Sequence, residues 1–309
     1  MRLIKPKAEL LLQQPGLEGV YKQIELAGRT CYKSIDKITE DSAKPFVDRM
    51  INSNHLAMLE HGTVYLKDES WIGSALKKYA HNKYSRYKDV HLESEEVEEG
   101  YREHKRGYYV TTNLRVLVEN GWLEDLKYIC EPTEYHEKRY TFRLITSIGV
   151  TRELNRHRVN SIAEQSTRYC NYSKDKFGGE VTFCIPSWLD LEEGSYDWNT
   201  YFGDWRWIDI TSPIKDQFVA NCFYNEKQYL DLINQGWQPQ QAREVLPLCT
   251  ATEIIHTAFA SDWKHFFDLR YFGTTGKPHP NMIELSTLMK KEAKKYGIWN
   301  NIHNIKSEE

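Results

Sequence analysis

Apolar residues recur at helical spacing near the start of the chain, where Leu17, Val20, Tyr21, Ile24 and Ala27 share one face. Ser42 stands where an N-cap residue would, ahead of Phe46, Val47, Met50 and Ile51, and predicts a second helix. Then the pattern changes. Thr63-Val64-Tyr65-Leu66, Tyr108-Tyr109-Val110-Thr111 and Tyr140-Thr141-Phe142-Arg143-Leu144 are β-prone runs that predict short strands, hence a mixed sheet with helices. Helical spacing returns after Pro213, through Ile214, Phe218, Cys222, Tyr229, Leu232 and Ile233, until Asn234-Gln235-Gly236 breaks it. A helical hairpin leading into Arg243 follows. A last helix after Pro280 sets Met282, Leu285, Leu288, Met289 and Ala293 on one side and ends in lysines, which suit its dipole.

Two stretches interrupt this pattern and read as insertions, near 67–107 and 188–210. The first ends in the acidic run Glu93-Ser94-Glu95-Glu96-Val97-Glu98-Glu99-Gly100, which predicts a solvated loop or a mobile excursion. The second carries Asp, Gly and Trp between Trp188 and Trp207 without clear periodicity. No internal repeat is visible, and the tail from Ile305 to Glu309 is expected to fray.

Composition narrows the function classes. At 309 residues the chain has room for one large domain or two. A net charge of -3 excludes an overall basic nucleic-acid binder, so anion binding has to come from local arginine clusters. The six cysteines show neither C-x-x-C pairs nor a dense disulfide pattern, and they predict free thiols in a reducing compartment. The start, Met1 to Pro6, has no apolar leader, and no run approaches the length of a membrane span, which makes the cytoplasm the expected location. Twenty tyrosines and nine tryptophans at a mean hydropathy of -0.67 leave many amphipathic rings for stacking on planar ligands or packing at a subunit contact.

One segment concentrates the chemistry. Arg156 to Tyr169, in the order Arg-His-Arg-Val-Asn-Ser-Ile-Ala-Glu-Gln-Ser-Thr-Arg-Tyr, holds three arginines, a histidine, a carboxylate and short hydroxyls. The rigid fork of arginine fixes an oxyanion in a plane, so the cluster suits a phosphorylated or carboxylated ligand. If the run is helical, His157, Ser161, Glu164 and Arg168 share one face. An ordinary Glu164–Arg168 ion pair on an exposed helix is the plainer alternative. The short hydroxyls and Asn160 are indifferent helix formers and favour the ligand reading.

This string resembles the signature of the flavin-dependent thymidylate synthases. His55-x-x-x-x-Glu60-His61 is similar to that family's upstream histidine motif, Ala242-Arg243-Glu244-Val245-Leu246-Pro247 to its Ala-Arg-x-x-Leu-Pro element, and Phe266-Phe267-Asp268-Leu269-Arg270 to the element ending in its catalytic arginine. The resemblance runs from about Ala27-Gly28-Arg29 through the helix after Pro280. It implies an α+β fold, a central mostly antiparallel β-sheet flanked by helices, in one domain over 1–309 and in homotetramers whose active sites are shared. The activity implied is methylation of dUMP to dTMP, with methylenetetrahydrofolate as carbon donor and NADPH-reduced FAD as hydride source. No metal, nucleic acid or membrane partner is implied.

The resemblance also implies site residues. Arg270 and His61 match catalytic positions. Glu153, Arg156, Glu164, Ser166, Arg168, Arg243 and Arg270 match positions on dUMP, while Arg156, His157, Arg158, Glu164, Ser261 and His265 match positions on FAD. Plainer structural roles remain open at two of them: Arg270 closing a helix C-terminus, and His61 satisfied in the core beside Glu60. No Pro-Cys-His element is present, Cys249 reads as a buried thiol, and Ser166 reads as a binding residue because nothing designates a base beside it. The chain departs from the commoner pattern at Ala57, Ala163, Phe259, Ser261 and His265, which removes hydrogen bonds expected toward the adenine end of FAD. His279 is a further candidate flavin contact. Two rival functions share these residues: a related enzyme making a modified pyrimidine such as hydroxymethyl-dUMP, and a non-catalytic nucleotide- or RNA-binding module using Arg156, Arg158 and Arg168.

Overall fold

The computed structural model describes residues 1–304 apart from 72, 93–95, 99–100, 103–104, 175–177, 204–207 and 209–210. Strands β1 (Arg2–Ile4) and β2 (Lys7–Leu11) precede helices α1 (Gly16–Cys31) and α2 (Ala43–Asn52). Strands β3 (Thr63–Ser70), β4 (Arg86–His91), β5 (Glu96–Glu98), β6 (Tyr101–Arg102) and β7 (Arg106–Asn113) follow, closed by the short α3 (Leu114–Glu119). Next come β8 (Arg139–Ser147), α4 (Ile148–Leu154), β9 (Ser161–Glu164), β10 (Thr182–Cys184), β11 (Gly194–Ser195) and α5 (Trp198–Phe202). The long α6 (Ile214–Asn234) and the single turn α7 (Pro239–Ala242) lead to β12 (Ala251–Phe259), and α8 (Ala260–Arg270), α9 (Pro280–Lys295) and α10 (Trp299–His303) complete the described chain.

The expected α+β class with antiparallel sheets and flanking helices is what the chain forms. One sheet has the order β2-β8-β12-β9 with every neighbouring pair antiparallel, and a second has the order β3-β7-β4, also antiparallel. β12 lies between β8 and β9, and nearly every residue along it is buried. Phe142, Leu144 and Ile254 of this sheet pack against Trp263, Phe266 and Phe267 of α8 and Met282 and Leu285 of α9. Polar groups buried on such a strand need internal partners. Thr257 finds them in Thr141 Oγ1 at 2.8 Å and His61 Nδ1 at 2.9 Å.

The helices predicted from Leu17 and from Ser42 form as α1 and α2. Ser42 precedes α2, but its Oγ donates to Glu25 Oε2 at 2.8 Å and leaves the helix end uncapped by its side chain. Gly28 lets these two helices approach: a Cβ there would collide with the Phe46 ring. The helices expected after Pro213 and Pro280 form as α6 and α9.

Residues 67–107, read as an insertion, carry strands: β3 and β7 pair from Thr63↔Asn113 to Ser70↔Arg106 and β4 adds along β7. Alternating buried positions such as Val64, Leu66, Tyr108 and Val110 pack on Val20 and Ile24 of α1, and that burial stabilises the sheet. Much of the acidic run 93–100 lies outside the described residues. So do residues 204–207 of the Trp188–Trp207 stretch and the tail 305–309; within 188–203, Trp198 and Phe202 form an aromatic cluster with Phe223. The helical reading of the signature segment needs correction. No helix runs through it: α4 ends at Leu154, turns occupy 155–160, and Ser161–Glu164 is β9, paired with Thr257–Ile254 of β12. The strand ladder, together with Asn160 Nδ2 donating to buried His256 Nε2 at 2.8 Å, outweighs the weak helix propensity of this stretch. Among the described residues no helix is long and apolar enough to cross a membrane.

Candidate active site

The last turn of α4 organises the site. This helix starts where Ser147 Oγ accepts from the Val150 N–H, and its final turn presents Thr151, Arg152 and Glu153 in succession. Successive helical residues diverge by about 100°, so the three reach different neighbours. Thr151 Oγ1 donates to Glu164 Oε1 at 2.9 Å. Arg152 lines a cavity of about 320 Å³ with Thr167, Arg243 and the Leu246–Leu248 turn. Glu153 Oε2 accepts from Arg270 Nη1 at 2.9 Å.

Arg270 is the last residue of α8, where a cation complements the helix dipole. Its Nη2 donates to the Glu153 carbonyl and its Nε to His157 Nε2, both at 3.3 Å. His157 is buried, which lowers its pKa to about 4, with cationic Arg270 and then His265 adding to the effect. The imidazole is therefore neutral at pH 7 and accepts from the guanidinium without repelling it. His265 is exposed, with its ring 6.0 Å from that of His157. The arrangement is a fixed, partly accessible guanidinium held on three sides, suited to meeting negative charge that develops on a bound ring.

Of the remaining signature residues, Thr167 lines the same cavity as Arg243, Tyr169 lines another, and Arg156 and Arg158 stand on exposed turns. Arg243 Nη1 donates to Thr167 Oγ1 at 3.0 Å. Ser166 donates its backbone N–H to the Cys31 carbonyl at 2.8 Å, and its Oγ accepts from the Arg168 N–H at 3.3 Å. Arg168 is exposed and lies 5.4 Å from the Tyr169 ring, which itself contacts Tyr32 at 5.5 Å. Arg156 and Arg158 are exposed on the turns after α4. Tyr32 and Tyr169 line the largest cavity described, about 860 Å³, together with Arg29, Arg49, His55 and Arg115. Ser261 sits in the first turn of α8, its backbone N–H donating to Glu137 Oε1 at 2.9 Å.

Not every expected residue is accessible. His61 has no exposed surface; it is held by Thr257, its Nε2 has no partner among the described residues, and burial lowers its pKa to about 3. That geometry supports the core role. His55, six residues earlier in the same motif, lines the large cavity instead. Sequence reasoning passed over His55, Arg152 and Thr151. The available signal was their position, since His55 begins the motif and Thr151-Arg152-Glu153 ends the helix just before the signature. Cys249, expected as a buried thiol, is half-buried against Cys222 of α6, whose thiol lowers its pKa.

Residues 133–296, just over half of the chain, match the family described as Thymidylate synthase complementing protein. A flavin-dependent thymidylate synthase from Pyrococcus furiosus is 29% identical over 120 residues, 39% of this chain and 41% of that protein. The corresponding protein from Pyrococcus abyssi is 28% identical over 120 residues with the same coverage. The match thus spans about two-fifths of the length of these relatives. Among solved structures, the UMP/dUMP methylase PolB from Streptomyces cacaoi bound with 5-Br dUMP is similar at a TM-score of 0.43 and 16% identity, covering 98% of this chain and 96% of that one. On the family match, the chain belongs to the thymidylate synthase complementing protein family.

Proposed function

We propose that the protein methylates dUMP at C5 to give dTMP, taking the carbon from methylenetetrahydrofolate and using FAD reduced by NADPH, with no cysteine nucleophile. One observation carries this reading within the family. The last turn of α4 ties together a fixed guanidinium (Arg270 on Glu153), a carboxylate on β9 (Glu164 on Thr151) and an arginine-lined cavity (Arg152 with Arg243).

The residues present fit a flavin dinucleotide. A cavity of about 860 Å³ offers ring faces from Tyr32 and Tyr169 and guanidinium groups from Arg29, Arg49 and Arg115, which suits a ligand with planar rings and a charged diphosphate. When bound, FAD would supply the hydride that no side chain can provide. Tyr32, Tyr169, Arg29, Arg49 and Arg115 would hold it from this cavity, and Arg156, His157, Arg158, Glu164, Ser261 and His265, none of which lines the cavity, would complete the contacts from outside it, exposed Arg156 and Arg158 by reaching a neighbouring subunit of a homotetramer.

The chain's own residues do the rest. Arg243, with Ser166 and Arg168, grips the dUMP phosphate, and Arg152 adds to the same cavity. Glu153, Arg156 and Glu164 complete the contacts to the nucleotide. Arg270, kept in place by Glu153 and neutral His157, lies against the uracil edge and stabilises the ring deprotonated at N3, raising electron density at C5. A preorganised cation stabilises developing charge without having to reorganise.

Flavin absorbance tests the reading. The purified protein should retain FAD or take it up, and titrated dUMP should perturb the flavin spectrum. Failure to bind added FAD would refute it.

A further inference from the structure

Two cysteines meet at the boundary between core and surface. Cys222 stands inside α6, buried in the apolar cluster that holds Leu3, Phe183 and Val219. Cys249 packs against the same cluster from the turn after Pro247 and is only half-buried. The Cys222 thiol acts as hydrogen-bond donor toward the Cys249 sulfur, which favours the thiolate at Cys249 and lowers its pKa. The same contact, together with burial, raises that of Cys222. Cys31 and Cys130 are also half-buried, but burial pushes each up to about 11. Cys170 and Cys184 are buried. Among the six thiols, Cys249 is the half-buried one whose thiolate is favoured, and a second thiol lies against it.

The backbone ties this pair to α4. The Leu248 carbonyl accepts from the Gly149 N–H and the Thr250 carbonyl from the Ile148 N–H, both at 2.9 Å, so the residues on either side of Cys249 hold the first turn of that helix. The Cys249 carbonyl itself accepts from the Cys184 N–H at 2.7 Å, which anchors the turn to β10. Leu248 also lines the cavity that contains Arg152 and Arg243.

We propose that Cys249 is a site of oxidation by hydroperoxides and that Cys222 resolves the oxidised form to a disulfide. The Cys249 thiolate attacks one peroxide oxygen; an S–O bond forms, the O–O bond breaks, and Cys249 becomes a sulfenic acid as the departing hydroxide takes up a proton. The Cys222 sulfur then attacks the Cys249 sulfur; an S–S bond forms, the S–O bond breaks, and the released hydroxide leaves as water with the Cys222 proton. Two thiols give up two hydrogens and two electrons, and hydrogen peroxide is reduced to two waters. The sulfurs have to close to about 2.05 Å. That approach falls on the Cys249 turn, because Cys222 is held within the 21-residue α6.

Mass spectrometry of the reduced full chain treated with limiting hydrogen peroxide tests the pair, with remaining thiols alkylated after denaturation. The product expected has lost two hydrogens, joins the peptides that carry Cys222 and Cys249, leaves the other four cysteines alkylated, and returns to six alkylated thiols after dithiothreitol. Cys249 should react at least roughly tenfold faster than Cys31 or Cys130, since a thiolate fraction about a hundredfold larger outweighs its lower intrinsic nucleophilicity. In Cys222→Ser the sulfenic acid should persist at Cys249 and be captured by dimedone, whereas Cys184→Ser should leave the cross-link unchanged. If Cys222→Ser fails to fold, Cys249→Ser keeps the test, and it should leave Cys222 alkylated after peroxide. Six alkylated thiols in peroxide-treated wild type, a cross-link through Cys184 or between two chains, or oxidation of Cys31 or Cys130 ahead of Cys249 overturns the proposal.

Discussion

Acidification should destabilise this protein well above the pH at which carboxylates usually protonate, because three histidines are folded in their neutral form. Burial lowers the pKa of His61 and His256 to about 3 and that of His157 to about 4. The unfolded chain titrates near 6.5, so the contribution of each is complete above that value and is lost as pH falls from about 6.5 toward 4 or 3. The slope is about 1.4 kcal/mol per pH unit for each histidine. From about pH 8 to about pH 5 each therefore loses about 2 kcal/mol, and the three together about 6 kcal/mol, comparable with the stability of many whole domains. His136, also lowered by burial, acts in the same direction. Asp262 and Glu284 have carboxyl pKa values raised by burial and act in the opposite direction. Urea unfolding at a series of pH values measures the slope directly, with His256→Gln as the comparison. The variant should lose about 2 kcal/mol of the pH dependence over that interval. A stability curve that is flat between pH 7 and 5, or a variant with the wild-type slope, would refute the buried neutral histidines.

Arg270→Ala should retain flavin and lower turnover on the order of a hundredfold or more, as removal of a preorganised charge stabiliser does; steady-state kinetics with a flavin spectrum checks both parts, and unchanged turnover would remove Arg270 from the reaction. Arg243→Ala should weaken dUMP roughly tenfold to a hundredfold with little change in flavin affinity, and Arg152→Ala should weaken it less, both readable by titration. Gly28→Ala should cost about 1–3 kcal/mol by forcing a Cβ against Phe46, seen as a lower denaturation midpoint.

The sequence conveyed elements better than it conveyed their neighbours. The apolar period at Leu17–Ala27 and after Pro280 identified α1 and α9, because one buried stripe on a helix leaves a clear local trace. The 67–107 sheet was harder to see. Its strands pair across intervals in sequence, and the Lys- and Glu-rich connections between them mask the alternation. The signature segment revealed its chemistry but not its shape, since β9 exists through pairing with β12, nearly a hundred residues away. Arg156, Arg243 and Arg270 could be named from motifs alone. The reach of Thr151, Arg152 and Glu153 to three different partners depends on where α4 ends, which no motif records. His61 and His55 differ in burial for the same reason: the short turn between them sends one into the core and the other to the cavity wall.

Incubating the purified protein with dUMP, methylenetetrahydrofolate, FAD and NADPH, and identifying the nucleotide product by mass, tests the proposed activity most directly. The result expected is dTMP, formed only when all four are present. A hydroxymethylated nucleotide, or unchanged dUMP from protein shown to hold flavin, would contradict it.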